Sequence, residues 1–158
     1  MNTPDYTHVL TQVVDKLSDS NSFGGLFHQH KDGDPLPSGK SLYRIVELSR
    51  AILFPGYFGT PNLHTHTIHF HIGVDVEELF TLLTEQIQAG LCFGVESSGM
   101  ATSDTPCRET AAKLAIQFIS RLPELRQILA TDVEAAYYGD PAANSFGEII
   151  CCYPIIRA

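Results

Sequence analysis

The sequence predicts an all-α fold, a multi-helix bundle of about six to eight helices, and three observations carry that expectation. Apolar residues recur at steps of three and four along most of the chain, which places them on single helical faces. Prolines and glycines stand where helices start and stop. No internal repeat is visible, and in particular no six-residue alternation of a small aliphatic residue with Gly or Ala, so a β-helix is not expected within these residues. With 158 residues, 44% of them hydrophobic and 18% charged, the chain reads as one globular domain able to bury a substantial core.

The first helix is expected from Tyr6, Val9, Leu10, Val13, Val14 and Leu17, an amphipathic stripe. Ser18 to Gly39 mixes Ser, Gly, His, Asp and Pro without period and reads as a long connection. Leu42, Ile45, Val46, Ser49, Ile52 and Leu53 form the second stripe. Pro55-Gly56 ends it, because proline cannot donate the next backbone hydrogen bond.

Val76, Leu79, Phe80, Leu83 and Ile87 make the third stripe, with Asp75, Glu77 and Glu78 expected in its first turn, where the helix dipole favours negative charge. Gly90 stands where a left-handed cap would close it. Asp104 or Thr105 can cap the next helix, with Pro106 in its first turn and Leu114, Ala115, Phe118, Ile119 and Leu122 as the buried face. Pro123 then starts another turn, and Leu125, Ile128, Leu129, Val133 and Ala136 continue the period until Gly139 breaks it before Asp140-Pro141. Ser145 and Glu148 spell an S-x-x-E capping box, so a short helix follows. Tyr153-Pro154-Ile155-Ile156-Arg157-Ala158 opens a further helix with no stop signal after it and looks cut rather than finished.

The net charge of −8 removes the diffuse attraction to phosphate that drives binding to nucleic acid or to anionic membranes. Neither partner is expected. Cys92, Cys107, Cys151 and Cys152 include no C-x-x-C pair, which suggests reduced core thiols in a cytoplasmic chain. No leader and no apolar run of about 18 residues suggests export or a membrane span.

Among residues that could carry chemistry, Asp140 leads. A glycine precedes it, and the following proline restricts its backbone to extended geometry, so its carboxylate should be held in a fixed direction. Asp-Pro is also a common turn starter, and from the residues alone Asp140 most simply caps the next turn. Asp132 and Glu134 read as solvated helix charges, since residues two apart do not face each other. The run His64-Thr65-His66-Thr67-Ile68-His69-Phe70-His71 would, on a strand, put His64 and His66 on one face and His69 and His71 on the other. A transition-metal site is conceivable there, yet no cysteine accompanies it, and the preferred reading is a polar loop leading into a helix near Val74, with no metal. Gly94-Val95-Glu96-Ser97-Ser98-Gly99 matches neither a nucleophile elbow nor a phosphate loop and reads as a loop.

The stretch Leu122-Pro123-Glu124-Leu125 through Thr131-Asp132-Val133-Glu134-Ala135-Ala136-Tyr137-Tyr138-Gly139-Asp140-Pro141-Ala142-Ala143, followed by Glu148-Ile149-Ile150 and Tyr153-Pro154, resembles the entry to the catalytic domain of serine O-acetyltransferases. The likeness is strongest over residues 105–158. It is moderate at Arg44-Ile45-Val46-Glu47, at Leu53-Phe54-Pro55-Gly56-Tyr57-Phe58-Gly59 and from His71 to Gln88, and weak over residues 1–40.

The resemblance implies that residues 1–158 are the helical amino-terminal domain of an enzyme that moves an acetyl group from acetyl-CoA to L-serine, a step toward cysteine. It also implies a homo-oligomer. Asp140 would then be the catalytic and substrate-binding carboxylate. The family's catalytic histidine, its aspartate partner and the hexapeptide β-helix that takes acetyl-CoA would lie beyond Ala158, so no cofactor is expected to bind these residues and the chain alone is expected to be inactive. The alternative is a stand-alone helical interaction module or a His-rich metal-binding module centred on His64 to His71.

Overall fold

A computed structural model describes residues 6–25, 36–92 and 104–157. The described residues form seven α-helices and one 3-10 turn: α1 Thr7–Ser18, the turn Ser20–Ser22, α2 Gly39–Leu53, α3 Ile68–Cys92, α4 Asp104–Ser120, α5 Leu122–Gly139, α6 Phe146–Cys152 and α7 Pro154–Arg157. Among the described residues there is no strand, only an isolated bridge between Pro55 and Phe58. The all-α class therefore holds. Five helices run 12 residues or longer, fewer than the expected six to eight, because the last two segments span only seven and four residues. The Gly94–Gly99 loop and residues 26–35 of the expected connection lie outside the described residues, as do the side chains at 104–106 that would cap α4.

The chain divides into two compact units, Met1–Asp34 and Pro35–Ala158. In the first, α1 forms where its stripe predicts, and Asp19 Oδ1 then accepts from the Asn21 N–H at 3.0 Å to start the 3-10 turn. The stripe Tyr6, Val9, Leu10, Val13, Val14 and Leu17 is exposed throughout.

In the second unit, Ile45, Leu48, Ile52 and Leu53 of α2 meet Leu79 of α3 and Leu122 at the start of α5. Leu48 and Leu79 are fully buried. Ser38 caps α2 by accepting from the Ser41 N–H at 3.2 Å, and its own N–H donates to Gln86 of α3 at 2.7 Å. The expected α2 stripe is turned by about one position: Leu42 and Val46 are exposed, while Leu48 and Ala51 are buried. Arg44 explains part of the shift, since it reaches across to Glu78 with two parallel 2.7 Å hydrogen bonds that fix the α2–α3 register. The pair is open to water and contributes about 1 kcal/mol at most.

Helix α3 begins earlier than its acidic residues suggest. The His64 carbonyl accepts from the N–H groups of Thr67 and Ile68 at 2.9 and 3.0 Å, so a tight turn launches the helix at Ile68. Asp75, Glu77 and Glu78 are therefore interior residues, not a first turn. Gly90 does not terminate the helix either; its φ is not positive, and α3 continues to Cys92.

On α4 the buried line is Ala111 and Ala115, both at 0% exposure, whereas Leu114 and Phe118 are exposed. Small side chains let α4 lie close against α3, its main neighbour, and that contact outweighs the larger stripe. The four cysteines are unbridged, three half-buried and Cys152 exposed, so they are not core thiols.

The end of α2 is secured from two sides. Arg126 of α5 donates through Nη2 to the Ile52 carbonyl, one of the last carbonyls of α2. After Pro55, Gly56 and Gly59 take φ of 86° and 82° to fold the chain back. At Gly59 a Cβ would come 2.7 Å from the Ala51 Cβ. Gly59→Ala is expected to destabilise the second unit by about 1–3 kcal/mol from backbone strain alone, and Leu79→Ala by about 2–5 kcal/mol through the cavity it leaves. Urea midpoints at neutral pH check both; a midpoint within error of the parent at Leu79→Ala would contradict this core assignment.

Candidate functional site

Helix α5 ends because Asp140 cannot continue it. Its φ of −113° and ψ of 105° are the extended geometry that the following proline enforces, while its N–H still donates to the Ala136 carbonyl. The chain turns at once. The Ala143 N–H donates to the Asp140 carbonyl at 3.0 Å, and the Ala142 N–H donates to Asp140 Oδ1 at 2.9 Å. The carboxylate thus caps its own turn, as one of the two sequence readings allowed.

Its second oxygen is engaged from farther away. The Tyr153 hydroxyl donates to Asp140 Oδ2, tying the end of α5 to the junction of α6 and α7. The Tyr153 ring packs with Val133, Ile149 and Ile150, the second core cluster, so the hydroxyl is delivered from a fixed base. The hydrogen bond from Tyr153, and after it that from Ala142, holds the Asp140 carboxyl below its usual range. The same contact pushes Tyr153 up to about 12, because the neutral phenol is the form that donates.

Between these residues runs the expected capping box. The Glu148 N–H donates to Ser145 Oγ at 3.1 Å, which starts α6. The reciprocal half differs by one residue. Glu148 Oε2 accepts from the Asn144 N–H at 2.8 Å and from Asn144 Nδ2 at 3.1 Å, in place of the Ser145 amide. Tyr57, from the loop after α2, lies against α6 at Gly147, where a Cβ would meet its ring at 3.1 Å. Phe146 packs edge-on to Tyr137, with ring centroids 4.9 Å apart.

Beside α6 is an apolar groove of ≈ 310 Å³ whose lining includes Phe54, Tyr57, Val133, Phe146 and Ile150, with Arg126 and Glu134 as its charged members. Arg126 Nε is buried without a hydrogen-bond partner. Nothing in the sequence marked Arg126 or Tyr153 as site residues. Tyr153 lies 13 positions beyond Asp140, with a turn and a helix between them, so no local spacing connects the two.

The histidine run is not a strand. His64 and His66 lie in the turn before α3, where their rings stack at 5.5 Å, and His69 and His71 are already helical. The polar loop expected up to Val74 is shorter than the sequence suggests, since the helix already includes His69 and His71, and residues two apart on a helix point in different directions. Among the described residues no group of three or more His, Cys, Asp or Glu side chains could hold a metal. Asp132 and Glu134 are exposed, as expected of solvated helix charges. No helix among the described residues is long and apolar enough to cross a membrane.

A carboxylate held below its usual range is a poor proton acceptor at neutral pH and a good partner for a cation. Asp140 is thus equipped to hold positive charge and not to remove a proton.

No family model matches the chain. Over 126 residues, 78% of its length, it is 42% identical to the serine acetyltransferase, plasmid, of Synechococcus elongatus. The chain spans 39% of the length of that curated relative.

The Asp140–Tyr153 bond should leave a two-sided pH signature in stability. Asp140, lowered in the folded state, contributes stability above its unfolded value and loses it as the pH falls through the lowered one. Tyr153, raised in the folded state, contributes below the unfolded tyrosine value of about 10 and loses that contribution as the pH rises toward about 12. Urea midpoints of the parent and of Tyr153→Phe should therefore differ most near neutral pH and converge at both extremes. A difference independent of pH would contradict the bond.

Proposed function

We propose that this chain forms the helical front part of a serine acetyltransferase, and that Asp140 holds the amino group of L-serine while an acetyl group passes from acetyl-CoA to the serine hydroxyl. The observation that carries the reading is Asp140 itself, a carboxylate fixed on both oxygens and depressed in pKa, set where an acetyltransferase-like sequence runs from helix into turn. The 42% identity to the Synechococcus elongatus enzyme over most of the chain supports it.

The role of Asp140 follows from charge. A serine ammonium meets a carboxylate that stays ionised at neutral pH and is already oriented, so little is lost in arranging it. Proton removal from the serine hydroxyl needs a base with a pKa nearer neutrality, and acetyl-CoA needs a thioester site. In this reading both come from a separate acetyl-transfer domain. Without them neither proton transfer nor positioning lowers the barrier, and the 158-residue chain has no turnover of its own.

The helical region also serves in assembly. The exposed stripe of α1 is an apolar face of the kind that a like helix covers in a homo-oligomer.

Acetyl-CoA consumption in the presence of L-serine tests the proposal. Turnover is expected only from a longer protein carrying these residues ahead of an acetyl-transfer domain. There Asp140→Ala should lower kcat/KM for serine by roughly tenfold or more, the loss expected when a charge-assisted hydrogen bond is removed. Turnover by the isolated chain, or an Asp140→Ala enzyme with unchanged serine kinetics, would refute the assignment.

A further inference from the structure

We propose that Tyr153 is a positioning residue for the amino acid substrate: by donating its hydroxyl to Asp140 Oδ2, it aims the carboxylate at the substrate's ammonium group without neutralising it. This rests on the assignment of Asp140 above and extends it to a residue outside the Asp-Pro motif.

A lone aspartate at a turn has two soft side-chain torsions and can direct its lone pairs widely. The Ala142 N–H fixes one oxygen, Oδ1, at 2.9 Å, but a single bond leaves the carboxylate plane free to rock about it. A second donor on the other oxygen removes that freedom. Tyr153 is suited to the task by its mounting. Its N–H donates to the Ile149 carbonyl at 3.2 Å, its own carbonyl accepts from Ile156 at 3.2 Å, and Pro154 follows it, so the backbone is held on both sides of the ring.

The donor's chemistry matters as much as its mounting. An arginine or lysine at this place would orient the carboxylate equally well and cancel its charge. A phenol is neutral, so the full negative charge remains for the incoming cation. Each carboxylate oxygen also keeps a free acceptor direction after its present bond, because an ionised carboxylate offers about four acceptor sites in all. Two donors hold the group and two directions stay open.

The test is a steady-state comparison in the longer enzyme that carries this chain. Tyr153→Phe, which removes one oxygen and keeps the ring packing, should raise KM for L-serine by roughly two- to tenfold, the cost of one hydrogen bond. Meanwhile kcat and the KM for acetyl-CoA should stay nearly unchanged. On an Asp140→Ala background the same change should raise the serine KM no further, because the tyrosine acts only through the aspartate. A merely structural tyrosine would give additive effects, or would move both KM values together, and either outcome overturns the proposal, as does a serine KM that Tyr153→Phe leaves unaltered. Should Tyr153→Phe fail to fold, a ring-fluorinated tyrosine at the same position, with a more acidic hydroxyl, must change the serine KM selectively for the proposal to stand. If Asp140→Ala alone leaves serine kinetics intact, the Asp140 assignment fails and this one with it. If Asp140→Ala is impaired and Tyr153→Phe is not, only the role of Tyr153 fails.

Discussion

Leu122 is the residue on which the placement of everything after it depends. It stands at the first position of α5 and is buried with Leu48, Ile52 and Leu79, so α5 starts inside the core built by α2 and α3. One turn later Arg126 donates to the Ile52 carbonyl and fixes the helix azimuth about that anchor. A helix rises about 1.5 Å per residue, so an anchored first turn sets where the far end lies. That far end is Asp140. The turn and α6 fold back from it, and Val133, Ile149, Ile150 and Tyr153 close a second cluster against α5. The carboxylate is therefore tied through Tyr153 to the second cluster and is not on a free loop tip.

This arrangement leaves the turn-capping role of the Asp-Pro dipeptide compatible with the proposed substrate role. The proline forces the aspartate out of helical geometry, the Ala142 amide turns the carboxylate back over the new turn, and Tyr153 holds it from the opposite side. Capping and the proposed recognition of an ammonium would use different lone pairs of one group. The lowered pKa follows from the same contacts.

The sequence was most legible where one local rule acts alone. Pro55-Gly56 ends α2, Pro123 opens α5, and Ser145 and Glu148 start α6. Gly139, expected to break α5, is instead its last helical residue with no positive φ, and the cap is Asp140. The sequence was least legible where two helices compete for a face. Apolar period marked Leu114 and Phe118 as buried, yet the close approach of α3 favours Ala111 and Ala115, a preference that only the partner helix reveals. Helix α3 starts earlier than a first turn at Asp75, Glu77 and Glu78 would put it, and Glu78 instead serves Arg44 across the α2–α3 contact. At the site, Asp140 was legible from its neighbours in sequence. Tyr153 was not, because its partnership comes from the return of the chain through α6. The likeness to serine acetyltransferases was visible in the order of ordinary motifs and agrees with the 42% identity to the Synechococcus elongatus protein.

What Asp140 touches when an amino acid is present decides its role. A crystal structure of the longer protein with L-serine bound would show it directly. The expected result places the serine nitrogen about 2.7–2.9 Å from an Asp140 carboxylate oxygen, with the bonds from Ala142 and Tyr153 intact. Serine bound elsewhere, with Asp140 serving only its own turn, would contradict the central claim.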